Sequence, residues 1–134
     1  PFYQGFLNFF DFADSGFVGA FRKEQSNDQE ELSIELGYIA SGKLDGRVVI
    51  LLDPMLATGK SLVKAVEHLA GHGTPEHLHI VSLVSAPEGI KYVQEHIKLP
   101  HSIWTGAIDE KLNDQSYIVP GLGDAGDLAF GEKL

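Results

Sequence analysis

The residues best suited to chemistry stand together at Asp53-Pro54-Met55-Leu56-Ala57-Thr58-Gly59-Lys60-Ser61. Gly59 lets a backbone approach a ligand closely, while Thr58 and Ser61 offer hydroxyls. A helix that begins here turns its unpaired first N–H groups and the positive end of its dipole outward, which makes a cradle for a phosphate. Each charge–dipole contact is worth only about 0.3–1 kcal/mol, so a dianionic phosphate must be held by several hydrogen bonds acting together. The same residues also suit an ordinary capped turn from strand to helix. Thr58-Gly59-Lys60-Ser61 is spelled like the end of a P-loop, but that motif needs a glycine at position 54, where Pro54 stands, so a P-loop nucleoside triphosphatase is excluded.

A second stretch, Tyr117 to Asp127, contains Gly121, Gly123 and Gly126 in the spacing of a dinucleotide fingerprint. Eight residues follow Gly126, too few for the βαβ unit and the distant acidic residue which that fingerprint needs. The segment can instead present backbone amides and carbonyls, with Asp124 and Asp127 beside them, to a small planar polar ligand. A plain glycine-rich loop is the competing reading. His68 and His72 lie one helical turn apart, but Leu69 stands where a zinc HExxH motif needs glutamate, and no third ligand is evident. They read as a solvated helix end. His77, His79, His96 and His101 follow no recognisable spacing, and Asp109-Glu110 and Glu30-Glu31 read as surface charge.

Asp53 ends the run Val48-Val49-Ile50-Leu51-Leu52, which is unbroken and largely β-branched, as in a strand covered on both faces. After the loop, Leu62, Val66, Leu69 and Ala70 fall on one side of a helix and Lys64, Glu67, His68 and His72 on the other. A strand over His79 to Val84, a helical stretch with Ile90, Val93 and Ile97, and a strand over Ile103 to Ile108 complete an alternation. That alternation predicts an α/β fold: an open, mostly parallel sheet with helices on its faces, joined by right-handed crossovers. Ligands of such sheets bind beyond the carboxyl ends of the strands, which is where Asp53 lies. Upstream, Phe2, Phe6, Phe9 and Phe10 follow one helical face and predict a buried helix, with a subunit interface able to take surplus aromatics. Arg22 to Glu31 reads as a polar loop and Leu32 to Ile39 as a strand, together a hairpin or β-arm.

The chain has 134 residues, with 10 Lys and Arg against 19 Asp and Glu, a net charge of −9. The few scattered cations argue against a nucleic-acid partner and against binding at a membrane surface. No cysteine is present, which removes disulfides, thiolate metal sites and thiol nucleophiles and suits a cytoplasmic location. Apolar runs are far short of a membrane span.

Asp53 to Ser61 and Tyr117 to Asp127, in this order, resemble the phosphoribosyl-diphosphate (PRPP) loop and the uracil-recognition segment of the uracil phosphoribosyltransferases. Ala86-Pro87-Glu88-Gly89 and Phe21-Arg22 are similar to that family as well, and the resemblance runs over nearly the whole chain. It implies a single type I phosphoribosyltransferase-like domain over residues 1–134, in a homodimer that joins uracil to PRPP. The products are UMP and pyrophosphate, with Mg²⁺ carried on the diphosphate. It assigns the PRPP loop, Asp53, Pro54, Met55, Leu56, Ala57, Thr58, Gly59, Lys60 and Ser61, to PRPP: Ala57 to Ser61 hold the 5′-phosphate and Asp53 meets the ribose hydroxyls. Arg22 contacts the diphosphate, Asp124 belongs to PRPP, and Ile118, Gly123, Asp124 and Ala125 frame the uracil. Some members respond to GTP, which makes GTP a candidate effector. Lys60 stands where a small residue is usual and adds charge to the cradle. Pro1 aligns just after the family's Arg-Ala-Gly diphosphate loop, so the resemblance implies a protein whose N-terminal part is not in this chain. The alternative within the same fold is a non-catalytic UMP- or PRPP-binding regulatory or structural protein.

Overall fold

The computed structural model describes residues 1–23 and 33–131, with backbone alone at residues 20–23 and 33–36. Glu24 to Leu32, and with them Glu30 and Glu31, lie outside the described residues. Helix α1 (Phe2–Phe9) leads to an antiparallel pair, β1 (Phe17–Lys23) and β2 (Ser33–Ala40), whose register slips at Gly19 between Val18 and Ala20. This is the expected arm, with β1 reaching through Arg22 and Lys23, which the sequence assigned to a loop.

Strands β3 (Val48–Leu52), β5 (His77–Ser85) and β6 (His101–Ile108) form a parallel sheet with β5 in the centre. The two-residue β4 (Met55–Leu56) continues along the edge of β5 that β3 occupies, pairing with Val84 and Ser85. Helix α2 (Lys60–Leu69) joins β4 to β5 and ends in a short 3₁₀ turn at Ala70–His72, and α3 (Pro87–His96) joins β5 to β6. The tail carries a small antiparallel pair, β7 (Lys111–Leu112) and β8 (Ile118–Val119), then helix α4 (Ala125–Phe130).

Period-two alternation decides which strand residues are buried. Leu78 and Ile80 of β5, with Val49, Leu51 and Ile103 beside them, face Leu62, Val63 and Val66 of α2 and Val93 and Ile97 at α3. Each of these side chains, removed from water, contributes roughly 1.5–3 kcal/mol. Residues of the opposite parity remain exposed: Val48, Ile50, Leu83, Trp104 and Ile108. Among the described residues the helices therefore cover one face of the sheet, and β3 is not covered on both faces as its unbroken run predicted. An unbroken apolar run reports what a strand can bury, whereas the partner for the second face has to come from elsewhere in the fold. Helix α1 differs in the same way. It forms where the spacing placed it, but it has no buried residue, and Phe9 is 80% exposed. Its rings meet one another instead, with Phe2 and Phe6 edge to face at 5.5 Å and Phe6 stacked on Phe10 at 6.1 Å.

Candidate functional site

The site grows from an interruption in an edge strand. Proline has no N–H to give to a ladder, so the pairing of β3 with β5 lapses at Asp53-Pro54. The chain is nevertheless held there. Asp53 N–H donates to the Val81 carbonyl at 3.0 Å, and the Pro54 carbonyl accepts from both Leu83 and Val84 at 3.2 and 3.3 Å. The Asp53 side chain closes the turn by accepting the Met55 N–H at 3.1 Å. Asp53 is half-buried, and burial pushes its carboxyl up to about 6 from an ordinary 3.8, against the pull of the Met55 N–H. A carboxyl held so high in the turn beyond the carboxyl end of a parallel strand is a candidate for ligand contact.

Beyond β4 the chain turns sharply at Ala57-Thr58-Gly59 into α2. Gly59 is left-handed, with φ of 75°, and as the N-cap it offers no side chain to the first N–H groups of the helix. It is buried against α3, where an added Cβ would lie 2.8 Å from the Gly89 carbonyl oxygen and 3.1 Å from Val93 Cγ2. The approach is mutual, since a Cβ on Gly89 would lie 2.1 Å from the Ala57 carbonyl oxygen. The beginnings of α2 and α3 thus meet at the carboxyl end of β4 and β5, with Ala86 N–H donating to Leu56 at 2.9 Å. Thr58 and Ser61 are half-buried, and Lys60 is exposed.

The second stretch comes to the same place. Ile118 is buried with Val84 and Ala86, and Met55, Ala57 and Leu112 pack against them. One small apolar cluster therefore joins the loop after β3 to the glycine-rich tail. Two carboxylates anchor the tail: Glu88 in the first turn of α3 accepts the Leu112 N–H at 3.1 Å, and Asp109 accepts the Gly121 N–H at 2.8 Å. The Val119-Pro120 bond is cis, and Gly121 is left-handed. Gly123, with φ of 82°, has open space where a Cβ would be. Asp124 caps α4, accepting the Gly126 and Asp127 N–H groups at 2.7 and 3.1 Å. The stretch is thus a turn followed by a capped helix rather than a plain loop, and Ala125 opens that helix.

Of the loop Asp53, Pro54, Met55, Leu56, Ala57, Thr58, Gly59, Lys60 and Ser61, the structure packs Met55 and Ala57 into one cluster with Ile118 of the tail, and Gly123, Asp124 and Ala125 follow Ile118 in sequence. Arg22 lies on β1 opposite Ile34, and its side chain is outside what is described. His68 and His72 are exposed at the end of α2, as expected of a solvated helix end. Asp109 corrects the sequence reading: it is half-buried and hydrogen-bonded within the site, not surface charge. One signal could have found it. Like Asp53 after Leu52, it directly follows the last residue of a parallel strand, the place where such sheets bind ligands.

The sequence model of the family described as uracil phosphoribosyltransferase matches residues 1–132. A uracil phosphoribosyltransferase of Porphyromonas gingivalis is 46% identical over the full chain, which spans 61% of that protein. One from Pyrococcus furiosus is 41% identical, with 100% of the chain and 56% of that protein covered. A solved structure of a protein from Aquifex aeolicus superposes with a TM-score of 0.86 at 38% identity, over 98% of this chain and 60% of the other. The chain thus spans about three fifths of the length of these relatives.

Proposed function

Because the chain belongs to the uracil phosphoribosyltransferase family, we propose that the protein transfers the phosphoribosyl group of PRPP to uracil, giving UMP and pyrophosphate in pyrimidine salvage. The observation that carries this reading is the shared cluster of Met55, Ala57 and Ile118 about Val84 and Ala86. It supports a reading in which the Ala57 loop holds the phosphate and the tail that follows Ile118 takes the base.

In the reaction, the bond from ribose C1 to the diphosphate oxygen breaks with its electron pair leaving on pyrophosphate, a bond from C1 to uracil N1 forms, and the N1 proton passes to the departing pyrophosphate or to water. The ribose passes through an oxocarbenium-like state, so catalysis rests on orienting the two reactants and stabilising the departing charge. No covalent nucleophile is required. The 5′-phosphate lies over Ala57 to Ser61 at the start of α2, where the N-cap Gly59 supplies no side-chain cap and the Lys60 N–H donates to Thr58 Oγ1 at a long 3.4 Å. Asp53 accepts hydrogen bonds from the ribose hydroxyls, Arg22 meets the diphosphate, and Asp124 orients PRPP. Ile118, Gly123 and Ala125 read the uracil edge through peptide groups. Its two carbonyls and an N–H demand a fixed alternation of donors and acceptors, and a mispaired analogue costs roughly 1–3 kcal/mol for each buried group left unsatisfied.

Mg²⁺, if carried in on the diphosphate of PRPP, would supply charge neutralisation for the leaving group. The proposal gives it no protein cage; among the described residues no three His, Asp or Glu side chains gather to hold a metal. A homodimer, GTP as an effector and a cytoplasmic location belong to the same proposal through the family. Among the described residues no helix is long and apolar enough to cross a membrane.

The test is release of pyrophosphate from PRPP by the purified protein with Mg²⁺. The expected result is release that requires uracil and yields UMP in equal amount. Binding of UMP or PRPP without turnover would replace the transferase with a non-catalytic sensor of the same ligands.

A further inference from the structure

The pyrimidine-reading segment needs its peptide groups fixed in direction, and one carboxylate outside both ligand loops does this. Asp109 directly follows β6. Its own N–H donates to the Ser85 carbonyl at 2.9 Å, which ties it to the end of the central strand. Its carboxylate accepts the Gly121 N–H at 2.8 Å. The next residue repeats the link, Glu110 N–H donating to the Val119 carbonyl at 3.0 Å.

Gly121 is the pivot of the segment. Its φ is 58°, and a Cβ there would lie 2.1 Å from the Ile118 carbonyl oxygen, so the turn from Ile118 to Gly121 is closed too tightly for any side chain. The direction taken after that turn decides where the peptide groups of Gly123 and Ala125 point. Gly123 is exposed, with open space where a Cβ would be, and lies between the turn anchored at Gly121 and the Asp124 cap of α4, so its direction is set in part by that anchored turn. We infer that Asp109 is a positioning residue for base recognition: by gripping the Gly121 N–H it transmits the rigidity of the sheet to the peptide groups that read the pyrimidine. It touches neither substrate. The inference rests on the proposed function for the identity of the ligand and on the geometry for the role.

The experiment compares the full chain with Asp109→Ala and Asp109→Asn, using calorimetry with UMP and, separately, with ribose 5-phosphate, which shares the sugar phosphate but lacks the base. Loss of a charge-assisted bond predicts that Asp109→Ala binds UMP about tenfold or more weakly. Ribose 5-phosphate affinity stays unchanged, and Asp109→Asn, whose amide oxygen accepts the same N–H, recovers most of the UMP affinity. Equal loss for both ligands, no loss with alanine, or failure of asparagine to rescue overturns the inference. Absence of UMP binding by the unaltered chain overturns the proposed function instead, and then the geometric half is judged by amide exchange. Gly121 is expected to exchange more slowly than Gly123 in the unaltered chain, and equal rates overturn the role of Asp109 without any variant, including where Asp109→Ala does not fold.

Discussion

Burial holds the Asp53 carboxyl at about 6 where its ordinary value is 3.8. Between these values the folded chain keeps a proton that the unfolded chain has released. The group's contribution to stability is therefore full below about 3.8 and is lost as pH rises through about 6. The shift corresponds to a cost on the order of 3 kcal/mol at neutral pH. Asp53→Asn keeps an acceptor for the Met55 N–H and removes the charge. It is expected to resist urea better than the parent at pH 8, with the advantage shrinking toward pH 4, as measured by denaturation across that range. The same variant is expected to bind UMP less well, because a neutral amide is a weaker partner for ribose hydroxyls. A charge retained at a cost to the fold, at the carboxyl end of a strand, is the residue-scale mark of function.

At the scale of elements, the site depends on how closely α2 and α3 begin. Gly59 stands where Gly89 and Val93 of α3 permit no side chain, and Gly89 where the Leu56-Ala57 backbone before α2 permits none. Gly89→Ala must push the Ala57 carbonyl and the beginning of α3 apart, because both are backbone and neither can rotate away. It is expected to cost about 2–3 kcal/mol, and more where the loop cannot shift, as read from urea unfolding. Phosphate affinity should fall with it, since the displaced segment is the cradle itself. Exposed Gly5, with no atom near its missing Cβ, is the control: Gly5→Ala should cost nothing measurable.

For the whole molecule, the main asymmetry lies between the two faces of the sheet. One is filled by α2 and α3, while the other presents Val48, Ile50, Leu83, Trp104 and Ile108 to solvent. Parallel sheets bury both faces as a rule, and a contiguous apolar patch of this kind marks a surface that another element or chain covers. Trp104 is the single tryptophan of the chain and is 58% exposed, its Nε1 donating to His79 Nδ1 at 3.1 Å. In the assembled protein, acrylamide is expected to quench its emission much less readily than that of free tryptophan. A protected tryptophan would show that this face is covered.

The alternation of strands and helices is legible in the sequence, as is a candidate anion cradle at Asp53 to Ser61 and a glycine-rich tail that resembles the family's base-recognition segment. Those signals are local: periodicity, β-branched runs, glycine and proline placed within a few residues of one another. The tertiary structure shows the rest: Ile118 joins Met55 and Ala57 in one cluster, Asp109 grips Gly121, and among the described residues nothing buries the aromatic helix α1 or the second sheet face. Burial and long-range hydrogen bonds depend on which distant segment arrives at a surface. An apolar residue carries the capacity to be buried and a carboxylate the capacity to accept a bond, but neither encodes its partner.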